Sequence, residues 1–278
     1  MQLLALVRYR IDPTAGLASI LNKETLPVST DDWRSPAAYD YAQDLDHPAF
    51  AWEFLRRNPG YREAFDANPI HDDRGADGPA SDWGLRFMAD PARQAADTPV
   101  FWHPDELPTV IPVTAASAAT ATPPVPLAEW PGEIVKRHAA DGVHILIRSD
   151  RTSHQIWLLD PSEKAVSVAA LIPLDATAPQ KADALLCLWR FVTRRRCRAH
   201  PSSRRRIDRL VATLRALDAR MAGASYRTIA ETLFGPKRVA AEPWKTAPVR
   251  DTVIRIVRAG FALKRGGYRR LLRTPWHA

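Results

Sequence analysis

Five polar residues in the C-terminal third of the chain have the types and spacing that suit hydrogen bonding to DNA bases. They lie at the beginning of a predicted helix and are Lys245, Thr246, Arg250, Thr252 and Arg255. An α-helix fits the major groove of DNA, and side chains from its N-terminal part reach the base edges there. The chemistry indicated is therefore base recognition, which needs neither a metal ion nor a cofactor.

A second set of basic residues surrounds these five and would bind the phosphate backbone. Contacts to phosphate fix the position of a protein on the duplex but carry no sequence information. The set comprises Arg227, Lys237, Arg238, Arg258, Arg265, Arg269, Arg270 and Arg273. The other interpretation of both sets is a helical bundle with a solvated basic face, and the residue pattern alone leaves that choice open.

Residues 225–264 are predicted to position these side chains as a helix-turn-helix with an unusually long turn. Ser225 caps the first helix, Gly235 ends it, and Thr246 caps the second helix. The apolar residues expected to face inward as anchors are Ile229, Leu233, Phe234, Val239, Trp244, Val253 and Val257. We interpret Trp244 as a core anchor rather than as a wedge between bases.

Two amphipathic helices are predicted before the helix-turn-helix, from apolar residues that recur with helical spacing. The stripe of the first helix is Leu185, Leu188, Trp189 and Val192. The second helix begins at Pro201 and is closed by Gly223. Its stripe is Ile207, Leu210, Leu214 and Leu217.

Three runs rich in β-branched residues, at 142–149, 154–160 and 165–174, predict an antiparallel meander. A sheet of this size needs a helix against one face to be stable. Residues 30–69 predict short helices with an aromatic-rich seam, because Pro36, Pro48 and Pro59 each follow a helix-starting or helix-breaking residue. This module suits either a cap buried on another part of the protein or a dedicated protein-interaction module.

The predicted fold class is α+β, with a small N-terminal helical module, a short antiparallel β-meander and a C-terminal all-helical helix-turn-helix domain. We expect residues 1–29 to be an appendage or a mis-started N-terminus, and residues 30–69 to form the helical module. Residues 70–128 are expected to be a loop and an Ala/Thr/Pro-rich linker. The meander should follow at 129–175, and the helix-turn-helix domain at 176–278.

The charge of the chain is divided unevenly along its length. Residues 181–278 contain 24 Lys and Arg against 6 Asp and Glu, a net charge of +18. Residues 1–180 contain 15 against 25, a net charge of −10. A basic body joined to an acidic one is expected of a nucleic-acid-binding protein with a separate interaction part.

Other classes of protein are disfavoured by the sequence. Cys187 and Cys197 are too far apart along a predicted helix for a local disulfide or a metal pair. No run approaches the ~18 apolar residues of a membrane-spanning helix, and we expect a cytoplasmic protein associated with the nucleoid. Residues 103–106 (HPDE) suit a loop turn rather than a metal site. Tyr268 could be the nucleophile of a tyrosine recombinase only with a His-x-x-Arg pair, which the sequence does not provide with the right spacing. We therefore expect no enzyme and no cofactor.

Three motifs carry a resemblance to a known family: GASYRTIAETLFG at 223–235, EPWKT at 242–246 and KRGGYRRLL at 264–272. With them, residues 214–272 closely resemble a proteobacterial family of helix-turn-helix variants. The family includes RovC-like activators of type VI secretion genes and regulators of the transfer of integrative and conjugative elements. Residues 32–65 similarly resemble the transcriptional-regulator-like domain that precedes it in the longer activators.

The resemblance implies binding of double-stranded DNA, activation of transcription and, for the RovC-like branch, homo-oligomers. It also implies that some short relatives act as antiactivators, which bind another protein through the same helical face. Two functions therefore stay open: an activator of mobile-element transfer or secretion genes, and a protein-binding antiactivator. Further partners expected for the acidic part are RNA polymerase, an antiactivator, or the basic domain of the same chain, which would be autoinhibition.

Overall fold

The fold was analysed in a computed structural model of the 278-residue chain, which describes residues 32–68, 78–116, 126–149, 153–159, 168–195 and 204–273. The expectations for residues 1–29, for Pro201 and for most of the Ala/Thr/Pro-rich segment lie outside these ranges. Over the described ranges the fold is α+β, as predicted. No helix there is long and apolar enough to cross a bilayer.

The helices and strands follow one another in mixed order. The strands are β1 Ile111–Ala115, β2 Glu133–Ala139, β3 Gly142–Arg148, β4 Ser153–Leu158 and β5 Val168–Ala170. The helices are α1 His47–Leu55, α2 Pro59–Asp66, α3 Ala178–Val192, α4 Arg204–Met221, α5 Tyr226–Phe234, α6 Pro236–Ala240, α7 Pro248–Ala262 and α8 Arg269–Leu272.

The N-terminal module consists of short helices, and α1 and α2 begin at the predicted breaks before Pro48 and Pro59. Ser35 precedes a 3-10 helix, Pro36–Asp44, without making a side-chain cap. Asp46 caps α1 by accepting the Ala49 N–H at 2.9 Å, and Asn58 caps α2 by accepting the Gly60 N–H at 3.0 Å. Most of its aromatic seam, including Phe50, Trp52, Phe54 and Tyr61, is fully buried and lies in one hydrophobic cluster with residues of α4 and α8. The module thus packs on another part of the protein, as its interpretation as a cap requires.

Within the described ranges the sheet contains five strands in the order β2-β3-β4-β1-β5. The antiparallel pairing of β3 with β4, which places Val143 opposite Leu158, was predicted. The rest of the topology differs from the predicted meander. The third predicted strand, β5, pairs with β1 rather than with β4, and β1 runs parallel to β4.

Two strands were missed because their sequences do not look like strands. The segment assigned to a linker begins with β1, in which Pro112 lacks an N–H but accepts the Leu171 N–H at 2.8 Å. The edge strand β2 was overlooked because Glu133, Lys136 and Arg137 interrupt its apolar residues. Charged side chains are common on edge strands, where they oppose edge-to-edge association.

The sheet lies between α3 and the loops that follow the N-terminal module. On one face Leu188 of α3 is buried, so the predicted helix against the sheet is confirmed. On the other face, Phe87 and Phe101 contact Leu146. Helix α3 had been assigned to the helix-turn-helix domain, but it packs on the sheet.

One expectation about α3 is wrong. Cys187 is disulfide-bonded, and the only other cysteine of the chain, Cys197, lies outside the described residues. The prediction assumed one continuous helix through both cysteines. The helix instead ends at Val192, and Arg194 adopts a left-handed conformation with φ of 55°.

Acid is expected to destabilise the fold through His154. Its ring lies 5.2 Å from that of Phe191, and burial lowers the pKa of His154 to about 4. The unfolded chain, with a histidine pKa near 6.5, therefore binds more protons between pH 6.5 and 4, and stability falls as the pH is lowered through that window. We expect the melting temperature of His154→Gln to depend less on pH in this window than that of the wild type.

The exposed His138 provides the control for this measurement. His138→Gln should keep the wild-type dependence of melting temperature on pH. The partly buried His47, whose pKa is also lowered to about 4, will contribute to the dependence that remains in both variants. Equal dependence in His154→Gln and in the wild type would contradict the assignment.

Candidate nucleic-acid interface

Helix α4 is the scaffold of the C-terminal domain. Leu210, Leu214 and Leu217 of the predicted stripe are buried against the N-terminal module, and Ile207 packs beside them. Gly223 closes the helix end with a φ of +83°, a conformation that glycine adopts without strain. The other side of α4 belongs to a second cluster, formed with α5, α6 and α7.

The two predicted helices of the helix-turn-helix are present as α5 and α7. Ser225 caps α5 by accepting the Thr228 N–H at 3.1 Å, as predicted. The predicted anchors all lie in the cluster shared with α4. Ile229, Val239, Val253 and Val257 are buried, and Leu233, Phe234 and Trp244 are partly buried against them. Trp244 contacts this cluster, and its role as a core anchor rather than as a wedge between bases stays a prediction.

The turn between α5 and α7 contains a short helix, α6, that was not predicted. The prediction of Thr246 as the cap of α7 is also wrong. The backbone N–H and the hydroxyl of Thr246 both donate to the Pro243 carbonyl, at 3.1 and 3.2 Å, and Ala247 holds the cap position. Pro248, with its fixed φ, then starts the helix without any side-chain cap.

The predicted base-reading residues are brought together on the turn before α7 and on its N-terminal half. Lys245, Thr246 and Arg255 are exposed. The Thr252 hydroxyl donates to the Pro248 carbonyl at 3.1 Å, so it is partly engaged inside the helix. The Arg250 guanidinium lies 3.4 Å from the Asp251 carboxylate, an exposed contact that competes only weakly with a ligand.

The predicted phosphate-binding residues fall into two groups. Lys237 and Arg238 of α6 are exposed, as is Arg258 of α7, and Arg227 of α5 pairs with Glu231 at 3.1 Å. The other four follow the C-terminal end of α7, at Arg265, Arg269, Arg270 and Arg273. Because a helix rises ~1.5 Å per residue, this end lies roughly 20 Å along the axis from the first turn of α7.

Glu106 engages two arginines of the second group. Its carboxylate lies 3.3 Å from Arg269 Nε and 3.1 Å from Arg273 Nη2. The Arg269 guanidinium also donates to the Asp82 carbonyl. These contacts hold α8 against the loops before the sheet, a role that the sequence pattern did not reveal.

The N-terminal module is joined to α4 by a buried network of charges that was also missed. Arg57 donates from Nε and Nη2 to the two carboxylate oxygens of Asp218, at 2.6 and 2.9 Å, and Tyr39 donates its hydroxyl to the same carboxylate at 2.6 Å. Glu53 is fully buried and accepts from Arg57 at 2.6 Å and from Arg56 at 2.7 Å. Burial alone would raise the pKa of Glu53, but the two guanidiniums hold it below its usual range.

Features that could have indicated catalysis have structural roles in the described ranges. Tyr268 is buried and donates its hydroxyl to the Trp83 carbonyl at 2.8 Å, and burial raises its pKa to about 12. His103 contacts Asp105 in an exposed turn. No group of three or more His, Cys, Asp or Glu residues able to hold a metal occurs where the structure describes the chain.

Comparisons with known families agree with this architecture. Residues 171–273 match the family described as "T6SS, Transcription factor, DNA binding domain", and residues 32–88 match the "Proteobacterial transcriptional regulator-like domain". A comparison with curated proteins finds no match to the chain. Both families are families of transcription regulators rather than of enzymes. The C-terminal part of the chain is therefore similar to a transcription-factor DNA-binding domain, and the N-terminal part to a transcriptional regulator-like domain.

Proposed function

We propose that the protein is a sequence-specific regulator of transcription that reads DNA bases with the N-terminal half of α7. The observation that carries the proposal is the position of Lys245, Arg250 and Arg255, which are accessible beside the beginning of this helix. The matching family and the net positive charge of the C-terminal part favour DNA as the ligand.

Phosphate binding is assigned in the same proposal to basic residues of α5, α6 and α7. These are Arg227, Lys237, Arg238 and Arg258. Arg269 and Arg273 receive a smaller share of the binding energy, because a carboxylate already neutralises part of their charge. Arg265 and Arg270 lie on the same far end, where a straight duplex centred on the first turn of α7 would reach them only by bending.

Arg238→Ala is expected to weaken binding to all DNA sequences alike. Loss of one phosphate contact reduces the slope of log K against log salt by about 0.9. Arg269→Ala should change this slope less, because its guanidinium contacts Glu106 and the Asp82 carbonyl. Fluorescence anisotropy on one random duplex over a salt series measures both slopes. A larger effect of Arg269→Ala would reverse the assignment of the two groups.

The specific role proposed is activation of mobile-element transfer or secretion genes. Support comes from the regulator-like domain at residues 32–88, which the longer activators of the resembling family also carry. RNA polymerase and a homo-oligomeric partner belong to the same proposal. The second candidate is an antiactivator that binds another protein through α7. A basic and polar face suits DNA better than it suits a protein partner.

Selection of bound duplexes from a random pool by the purified full-length chain tests the proposed function. We expect a short enriched motif, bound with an affinity that falls steeply with salt. The recovered motif placed upstream of a weak promoter should then raise reporter expression when the chain is produced. Recovery of unrelated sequences with no enrichment would contradict base reading and would favour the antiactivator, and an enriched motif that lowers expression would contradict activation.

A further inference from the structure

Helix α3 has a second apolar face that points away from the sheet. Leu186 and Trp189 of this face are 50% and 45% exposed, although Leu188 between them is buried. With Ala182 and Thr193 they follow the spacing i, i+4, i+7, i+11, which places four residues in one stripe about 60° wide. A helix that is apolar on opposite sides is typically covered on both. We infer that the outward face of α3 is a docking surface for an acidic amphipathic helix of a partner protein.

The C-terminal end of α3 fixes a positive charge against this stripe. Arg194 takes the left-handed conformation, and the Arg195 N–H then donates to the Arg190 carbonyl at 2.7 Å. This turn brings the Arg195 guanidinium to 4.7 Å from the centre of the Trp189 ring, where the ring face attracts a cation. Trp and Arg in such arrangements contribute much of the binding energy of protein interfaces.

The charge around the stripe selects the kind of partner. Arg190, Arg194 and Arg195 lie at one end of it, and Asp183 is the acidic residue within the helix. A partner helix with Leu or Phe on one face and Glu or Asp on its flanks complements both the apolar stripe and this basic end. A second copy is the competing occupant, and the oligomeric state of the chain distinguishes it from a partner protein.

The docking surface is distinct from the proposed DNA-reading surface. Helix α3 packs on the sheet, whereas α7 packs on α4. The two surfaces therefore belong to helices in different hydrophobic clusters. Binding of a partner at α3 does not depend on the base-reading role of α7, so the two proposals fail separately.

Binding of a labelled synthetic peptide to the purified full-length chain tests this inference. The probe is an 18-residue helical peptide with Leu at i, i+3, i+4 and i+7 and Glu on its flanks. Its binding is measured by fluorescence anisotropy at low salt. The matched peptide carries Lys in place of each Glu. We expect saturable binding of the acidic peptide, with affinity at least about 10-fold above that of the basic peptide.

Three variants locate the site. Trp189→Ser and Leu186→Ser should each weaken binding of the acidic peptide about 10-fold or more, as expected for residues at the centre of an interface. Leu174→Ser removes a leucine that is 99% exposed elsewhere and should leave the affinity unchanged. Circular dichroism and binding to the selected DNA should be unchanged in all three, which separates loss of docking from loss of the fold.

Three results would overturn the inference. The first is the absence of saturable binding of the acidic peptide, and the second is equal affinity for the acidic and the basic peptide. The third comes from the oligomeric state, measured by light scattering after size-exclusion chromatography. If the wild type is an oligomer and Leu186→Ser is a monomer, the occupant is a second copy of the chain.

Discussion

Asp218→Ala is expected to lower the free energy of unfolding by about 3–5 kcal/mol. The substitution leaves Arg57, which is 5% exposed, without the carboxylate that accepts two of its hydrogen bonds. It also removes the acceptor of the Tyr39 hydroxyl. Arg57 keeps its contact with Glu53, but a buried charge that loses one of two carboxylate partners keeps the cost of desolvation and loses much of the attraction that offset it. Chemical denaturation of the purified variant measures the effect.

The same helix provides a control for this prediction. Asp208 also lies on α4 and pairs with Arg204, but both side chains are more than half exposed. Asp208→Ala should therefore change stability by about 0.5 kcal/mol or less. Similar losses in the two variants would mean that the charge network between the N-terminal module and α4 contributes no more than a surface ion pair.

The network also bears on how the two family domains work together. Leu214, Leu217 and Tyr268 of the DNA-binding domain lie in the core of the N-terminal module. A chain restricted to residues 171–273 would expose these side chains. The regulator-like domain thus completes the core of the DNA-binding domain. Autoinhibition, in which the acidic part would block the basic domain of the same chain, is not required to explain the contact between the two domains.

Gly260→Val is expected to destabilise the fold by about 3 kcal/mol, near the upper end for overpacking. A Cβ at this position would lie 3.0 Å from the Leu217 Cβ and 3.2 Å from the Thr213 carbonyl oxygen. A backbone carbonyl cannot move aside as the end of a flexible side chain can. Helices α4 and α7 must therefore separate, and the first turn of α7 moves with them.

Ala259→Val is the matched variant for this prediction, because it adds the same β-branched side chain at the neighbouring exposed position. It should cost less than about 1 kcal/mol, the range of helix propensity. Thermal melts of the two variants compare the costs directly. A Gly260→Val protein as stable as Ala259→Val would show that the two helices have room to adjust at their crossing.

The sequence allowed the helical parts of the fold to be predicted because their signals are local. The caps Asp46, Asn58 and Ser225 each bond to an N–H two or three residues away. The stripe of α4 has regular helical spacing, and its prediction held. The stripe of α3 was only partly right, since Trp189 was placed on the inner face of a helix that is apolar on two sides.

The missed features depend on contacts between distant parts of the chain. Arg57 and Asp218 are 161 residues apart, and no local pattern joins them. The pairing of β1 with β4 and β5 likewise depends on long-range contacts, and Pro112 made β1 look like part of a linker. At the candidate interface, spacing predicted which residues surround α7 but not that Glu106 engages Arg269 and Arg273.

The central claim is that the N-terminal half of α7 reads bases. Its most direct test is the affinity for the selected duplex divided by the affinity for a random duplex, both measured at one salt concentration. Arg250→Ala and Arg255→Ala should each lower this ratio by about 5- to 150-fold, the equivalent of 1–3 kcal/mol for a lost base contact. Arg238→Ala should weaken both affinities and leave the ratio unchanged. Unchanged ratios in Arg250→Ala and Arg255→Ala, with affinity lost equally on both duplexes, would contradict the claim.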